Sequence, residues 1–249
     1  MIFLVLIILV LGGCATEYNP ATGRQELIFI SSSQEVNLGR RLSKKVEEEF
    51  KLCKDPQYLE RLYKVAERLV KVQSREDIVY HFDILDKDDI NAFTLPGGYI
   101  YVFKGLMEFI KSDDELAFVL GHEIAHNVAK HAIKKLQGYL GSQLLLVLST
   151  QAKSAGFIQG MELALRSIFS SYSREDEFLA DKLGVQYAKE AGYNPCASIE
   201  FLMRLHSYQM KQPSKSISYF RTHPYIPQRI SALKKELGLP LDLSDFMNK

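Results

Sequence analysis

The chain has 249 residues, of which 47% are hydrophobic and 24% are charged, and its formal net charge is +1. This length suits one large domain or two small ones, and the composition is that of an ordinary folded protein. Because 31 basic and 30 acidic residues balance and no basic run occurs, the charge excludes a nucleic-acid-binding class of protein.

The N-terminus has the features of an export signal. Residues 2–11 are wholly apolar, and a helix of that length spans about 15 Å, half of a bilayer's hydrocarbon core. The segment is too short to cross a membrane and fits a signal-peptide core. It continues into LGGC at 11–14, which resembles a bacterial lipobox, although no Lys or Arg precedes the apolar core. We predict a signal peptide at 1–13 and lipidation of Cys14; the alternatives are an uncleaved anchor and a buried hydrophobic arm.

A polar segment follows the lipobox. Residues 14–30 contain the turn-forming pairs Asn-Pro and Thr-Gly and are predicted to be a tether leading away from a membrane. Residues 31–249 are predicted to form one domain. The sequence leaves open whether Cys53 and Cys196 form a disulfide or remain free thiols, because it cannot place their Cα atoms within bonding range.

The domain is predicted to be mostly helical with a small sheet. Ser32–Glu35 has the pattern of a capping box, and apolar residues then recur every four positions from Leu38 to Phe50, which marks one buried helical stripe. Asp55-Pro56 is an N-cap followed by a proline at the first helical position. Strands are predicted at 78–85, 90–95 and 99–103, with helices near 105–111, from 113, in 139–170, and at 173–191, 196–210 and 226–237.

The helix predicted from residue 113 carries the most informative motif of the chain. Residues 122–126 read His-Glu-Ile-Ala-His. Two histidines four apart share one face of a helix, so both imidazoles reach one ion. Glu123 flanks them and is placed to act on a metal-bound water, which is the arrangement of zinc metallopeptidases. The alternative is a pair of solvated helix histidines.

A catalytic zinc site needs a third protein ligand and an open position for water. His131 lies five residues after His126, about 140° around a continuous helix, and is expected to point elsewhere. His81 and His206 have no motif around them, and we expect both to be surface or core residues. His223, in contrast, stands in the sequence Thr-His-Pro.

Acidic residues after the motif offer a better third ligand. Glu177 and Asp181 are four apart and share one face of a predicted helix. Glu177 on that face would bind the metal, while Asp181 would accept the other ring N–H of a ligating histidine. The alternative is a solvated acidic face, which we predict for Glu175 and Asp176.

These motifs resemble the zinc metallopeptidase family that includes the CAAX prenyl endopeptidases, the membrane protease HtpX, the mitochondrial OMA-type peptidases and the periplasmic lipoprotein proteases of Gram-negative bacteria. The similarity extends from about Glu35 to Arg229. It rests on Asn91-Ala92-Phe93, on Pro96-Gly97-Gly98-Tyr99-Ile100, on residues 122–126, on Glu177-x-x-x-Asp181 and on Thr222-His223-Pro224. The resemblance implies an α+β, predominantly α, zincin-like (gluzincin) fold with a small β-sheet beside the catalytic helix.

The resemblance also implies the residues of the site. One Zn²⁺ per chain would be bound by His122, His126 and Glu177, with Glu123 as general base. Family members place a histidine and an arginine at the positions of His223 and Arg229, which makes both candidate donors to the oxyanion.

The Thr-His-Pro setting of His223 resembles a latch as well, in which the histidine becomes a fourth zinc ligand and displaces the water. The alternative to both roles is an ordinary loop histidine. The chain departs from the family pattern at Leu179, where an acidic residue is often expected, and it carries no tetratricopeptide repeats.

The lipobox and the absence of long apolar runs favour the exported lipoprotein branch of the family. We therefore expect a zinc endopeptidase that is lipid-anchored to a bacterial membrane, the outer rather than the inner, and faces the periplasm. Its expected substrates are unfolded or misassembled envelope proteins, paired as an extended strand along residues 91–95. The alternative is a zinc-stabilised binding or chaperone lipoprotein with little proteolysis, against which Glu123 argues, since a scaffold needs no base beside its metal.

Overall fold

The structure is a computed structural model that describes residues 16–149, 155–211, 218–243 and 245. The predicted signal peptide and Cys14 lie outside the described residues. In chain order the helices are α1 (Ser32–Glu49), α2 (Pro56–Val70), α3 (Lys104–Phe109), α4 (Asp113–Val128), α5 (His131–Ser149), α6 (Ala155–Ile168), α7 (Arg174–Glu190), α8 (Ala197–Lys211), α9 (Ser218–Thr222) and α10 (Ile226–Glu236). The strands are β1 (Thr16–Asn19), β2 (Arg24–Leu27), β3 (His81–Leu85), β4 (Ala92–Leu95) and β5 (Tyr99–Phe103). Helix predominates, which confirms the predicted α+β class.

The stripe predicted for α1 is its buried face. Leu38, Leu42 and Val46 are at most 1% exposed, since a spacing of four residues keeps them on one side of the helix. The helix begins one residue earlier than predicted, because its capping box joins Ser31 to Gln34. The predicted capping partner, Glu35, instead points inward.

Glu35 forms a buried ion pair that ties three parts of the chain together. Its Oε2 lies 2.7 Å from an amino group of Arg75, and both side chains are almost fully buried. Arg75 also donates to the carbonyl of Asn127 at the end of α4 (2.8 Å). A buried carboxylate would be costly alone, so pairing with the guanidinium explains why Glu35 is unavailable as a cap.

The small sheet has the strand order β3-β5-β4. β3 runs parallel to β5, and β4 runs antiparallel to it with Ala92 opposite Val102. The turn between β4 and β5 places Gly97 at φ 73°, a left-handed conformation that glycine adopts without steric cost. Gly98 donates its N–H to the side chain of Asn127 (3.1 Å). This bond fixes the turn on α4, one residue after the second histidine of the motif.

The segment predicted to be a tether differs from that prediction over residues 16–27. β1 and β2 form an antiparallel hairpin that packs on the domain. Asn19 is buried and donates to the carbonyl of Ala129 (3.0 Å), while Glu26 pairs with Lys134 of α5 at 2.9 Å. Polar side chains that looked solvated in sequence are therefore used to attach the hairpin.

The structure also bears on the two cysteines and on the question of membrane-spanning helices. Cys53 is buried, Cys196 is half-buried, and both are free thiols. Among the helices of the described ranges, none combines the length and the apolar character that crossing a membrane requires.

Among the described residues, α4 and α7 form the most extensive packing of any two elements. They cross at two glycines. A Cβ atom on Gly121 would lie 2.8 Å from the carbonyl oxygen of Gly184, and one on Gly184 would lie 2.8 Å from the backbone nitrogen of His122. Since these neighbours are backbone atoms, only glycine at both positions permits the close approach.

Gly184→Ala is expected to destabilise the protein by about 1–3 kcal/mol, because the added methyl group forces the two helices apart. Gly138→Ala is the matched control: Gly138 lies in α5 with open space around its Cα, so alanine should stabilise the helix by up to ~1 kcal/mol. Urea denaturation of both variants measures the two effects. Equal stability of the two variants would contradict the close crossing.

Candidate metal centre

α4 holds the two histidines and the glutamate of the motif in the interior. Ser112 caps the helix by accepting from the N–H of Glu115 (3.2 Å). His122, Glu123 and His126 are all 0% exposed. The Nε2 atoms of the two histidines lie 3.0 Å apart, as the four-residue spacing predicts.

α7 brings Glu177 to this pair across the glycine crossing. Its Oε2 lies 3.6 Å from His122 Nε2 and its Oε1 lies 3.5 Å from His126 Nε2. Glu177 is 0% exposed. Burial raises the pKa of this carboxyl, but His223 and Arg229 outweigh it and hold the pKa well below its usual range, so Glu177 is ionised.

Asp181, one turn further along α7, orients His122. Its Oδ1 lies 2.9 Å from His122 Nδ1. Arg229 of α10 donates two bonds to the same carboxylate, at 2.7 and 2.6 Å. An ionised carboxylate only accepts, so His122 carries its proton on Nδ1 and turns the lone pair of Nε2 toward Glu177.

These contacts test whether a cation fits the site. Two imidazole nitrogens and a carboxylate oxygen converge in a fully buried space, and the tautomer of His122 leaves its Nε2 without a proton. Acceptor atoms this close repel one another unless a positive charge lies between them. Nitrogen and oxygen donors in this set are those of a zinc site with three protein ligands. The residues therefore fit a metal ion.

His223 follows α9 and contacts the same cluster. Its Nδ1 lies 3.0 Å from Glu177 Oε1 and 3.2 Å from His122 Nε2. One ligand atom each of His122, His126, Glu177 and His223 lie within 4.8 Å of one another. The structure thus brings the three predicted metal ligands together and places His223, the candidate fourth ligand, beside them.

Glu123 points into the cluster without a partner. Neither of its carboxylate oxygens has a hydrogen-bond partner among the described residues, and its Oε1 lies 3.4 Å from His223 Nε2. Burial raises the pKa of this carboxyl above its ordinary value. A buried carboxyl with a raised pKa and free oxygens is suited to accept and return a proton.

Arg229 contacts both carboxylates of the centre. It is 0% exposed, lies 2.8 Å from Glu177 Oε2, and also bonds the carbonyl of His223 (3.4 Å). Because its contacts are with Asp181, Glu177 and the His223 backbone, it fixes the carboxylates and the histidine segment in place.

The prediction that His131 is not a metal ligand agrees with the structure, because among the described residues His131 is not part of the ligand cluster, but the reason given for it is wrong. It assumed a continuous helix, but α4 ends at Val128, Lys130 adopts φ 55°, and α5 begins at His131. The ring therefore turns back, and His131 Nδ1 lies 2.8 Å from His126 Nδ1. Neither glycine nor proline marks this break, so the sequence carries no ordinary signal for it.

Two further residues were missed. Asp176, predicted to be solvated, lies 3.2 Å from His131 Nε2. The ring of Tyr172 stacks on His126 with 4.1 Å between centroids. Ser173, the residue after Tyr172, indicates in the sequence that a helix follows. It does not indicate that the ring of Tyr172 stacks on His126.

Two helix histidines, a carboxylate from a second helix and a glutamate that has no hydrogen-bond partner in the described part of the chain define a centre of the metallopeptidase class. The chain belongs to peptidase family M48, whose family model matches residues 56–237.

The sequence is similar to several curated proteins. It is 29% identical over 228 residues to a beta-barrel assembly-enhancing protease of Yersinia pestis, covering 87% of this chain and 46% of that protein. The corresponding Escherichia coli protease is 27% identical, with 85% of this chain and 45% of that protein covered. The human mitochondrial metalloendopeptidase OMA1 is 31% identical, with 93% and 48% covered. The chain thus spans about half the length of these relatives.

Proposed function

We propose that the protein is a zinc-dependent endopeptidase that binds one Zn²⁺ per chain through His122, His126 and Glu177. The observation that carries the proposal is the convergence of these three buried donors beside the free carboxyl of Glu123. Membership of peptidase family M48 supports it. When bound, zinc polarises a scissile carbonyl and makes water more acidic.

Residues of the chain transfer the proton, orient the metal ligands and bind the substrate. Glu123 takes a proton from the attacking water and returns it to the leaving amine. Asp181 fixes the tautomer and orientation of His122, and Arg229 holds Asp181 and Glu177. β4 lies at an edge of the sheet and its four residues are buried, so an extended substrate would add to it through backbone hydrogen bonds once that edge is uncovered.

Glu123→Gln is expected to abolish proteolysis while zinc remains bound, because glutamine cannot take a proton; losing such a base costs about 10²–10⁴ in rate. Casein cleavage and zinc content of the purified full-length chain measure the two effects. The matched control is Glu175→Gln on the exposed face of α7, which should cleave like the wild type.

The same assay separates the endopeptidase from a zinc-stabilised binding or chaperone lipoprotein. Cleavage that depends on Glu123 identifies the enzyme. Zinc binding with no cleavage by the wild type, even after His223 is removed, would instead identify the binding protein.

His223 is proposed to be a latch that keeps the enzyme inactive at rest. Its ring lies beside Glu123 and is 1% exposed, so in this position it separates that side of the cluster from solvent. The latch segment is anchored: His223 donates its N–H to the Tyr219 carbonyl (2.7 Å) and Thr222 donates to Asn91 (3.2 Å). A substrate or partner must move this segment before cleavage.

His223→Ala is expected to raise basal casein cleavage several-fold, because it frees the fourth position while three protein ligands remain. His206→Ala in α8 is the control histidine, half-buried outside the metal cluster, and should leave the rate unchanged. A fall in cleavage would contradict the latch and support the other proposed role of His223, donation to the oxyanion.

The place of action is proposed from the N-terminal sequence. The apolar core and the LGGC motif support cleavage after residue 13, lipidation of Cys14 and attachment to a bacterial membrane facing the periplasm, the outer rather than the inner. Unfolded or misassembled envelope proteins are the proposed substrates, in protein quality control. Similarity to a beta-barrel assembly-enhancing protease supports this choice.

Cys14→Ser is expected to abolish incorporation of radiolabelled palmitate when the chain is expressed in a Gram-negative bacterium, and to release the protein from the membrane fraction. Cys53→Ser, which alters a buried thiol, should be labelled and fractionate like the wild type. Labelling that survives in Cys14→Ser would rule out the proposed anchor.

A further inference from the structure

His131 lies behind the metal cluster, on the far side of His126, and takes no part in the proposed chemistry. We propose that it is a positioning residue for His126, in a hydrogen-bonded relay that runs from Asp176 through His131 to the ligand. The inference rests on the proposed metal site and goes beyond it, because it assigns a role to two residues outside the motif and the ligand set.

The first contact fixes where the protons are. His131 Nδ1 and His126 Nδ1 lie 2.8 Å apart and both rings are buried, so one nitrogen must donate and the other accept. His126 Nε2 faces His122 and Glu177, where a ligand must offer its lone pair. A neutral imidazole then carries its proton on Nδ1. His126 is therefore the donor, and His131 accepts at Nδ1.

The second contact completes the relay. Since the Nδ1 of His131 accepts, its proton sits on Nε2, and this nitrogen lies 3.2 Å from Asp176 Oδ1. The other carboxylate oxygen of Asp176 accepts from the N–H of Ser173 (3.3 Å), and Ser173 Oγ accepts from the Asp176 N–H (3.1 Å). The capping box of α7 thus holds the carboxylate on which the relay ends.

Each of the two ligating histidines therefore has its second ring nitrogen linked to a carboxylate of α7. His122 donates directly to Asp181, whereas His126 donates through His131 to Asp176. Both carboxylates belong to α7, which also supplies Glu177. Removing the acceptor would leave a buried N–H unpaired and the ring of His126 free to turn, and loss of such support typically lowers metal affinity by about 10–100-fold.

The test compares three substitutions of His131 in the purified full-length chain. The amide of asparagine reaches the position of Nδ1 and can accept from His126, whereas that of glutamine reaches the position of Nε2 and can only meet Asp176. We expect His131→Ala and His131→Gln to weaken zinc binding by about 10–100-fold, and His131→Asn to restore it to within a few-fold of wild type.

Competition with a chromophoric chelator measures the zinc affinity, and the visible absorption spectrum of the Co²⁺-substituted protein reports the geometry of the ligands. His206→Ala is the control and should match the wild type in both. If His131→Ala fails to fold, the comparison of asparagine with glutamine decides, because both fill similar space but only one accepts from His126.

Wild-type affinity in His131→Ala, or equal affinity in the asparagine and glutamine variants, would overturn the relay. These outcomes are separate from those of the proposed function. A wild type that binds zinc through a His131-dependent site but cleaves nothing refutes the endopeptidase alone, and active protein with His131-independent zinc binding refutes the relay alone.

Discussion

The close crossing of α4 and α7 is the constraint on which the centre depends. α4 supplies two imidazoles, and α7 supplies the carboxylates that face them, so neither helix makes a metal site alone. The crossing is possible because Gly121 and Gly184 let the two backbones approach within the space of a missing Cβ. A Cβ atom at either position would lie 2.8 Å from the backbone of the other helix, so the helices would have to move apart and carry Glu177 and Asp181 away from His122.

The fold also buries several charged side chains. Glu177, Asp181 and Arg229 are nearly or fully buried at the centre, where Arg229 contacts both carboxylates and His223 lies beside Glu177. A divalent cation bound by the three ligands would place further positive charge beside the same carboxylates. Isolated buried ions are costly, so their retention here is explained by the centre they build and not by stability. Glu35 and Arg75 form a comparable pair under the β4–β5 turn.

The proposed latch and the proposed substrate edge are physically joined. Tyr219 donates its N–H to the carbonyl of Ile90 (3.2 Å), and Thr222 bonds the side chain of Asn91, both immediately before β4. The segment that carries His223 therefore rests on the residues that lead into the edge strand. A substrate strand added to β4 would bind beside the residues that anchor the latch. Its binding would then favour the state in which the His223 segment has moved away from the cluster.

The sequence by itself determined what local periodicity and short motifs can encode. The spacing of His122 and His126 placed both rings on one helix face, the four-residue spacing did the same for Glu177 and Asp181, and the strand at 99–103 was predicted at its observed bounds. These features depend only on residues that are close together in the sequence, within one helical turn or one strand.

Only the tertiary structure decided the rest. The break between α4 and α5 that returns His131 to His126 carries no glycine or proline signal, and Asp176 looked like any exposed acid. Both acquire a role because packing brings together residues far apart in sequence, which no pattern in a single helix records. The same holds for the hairpin at residues 16–27 and for the Glu35–Arg75 pair, where the partner, not the local sequence, determines what each polar side chain does.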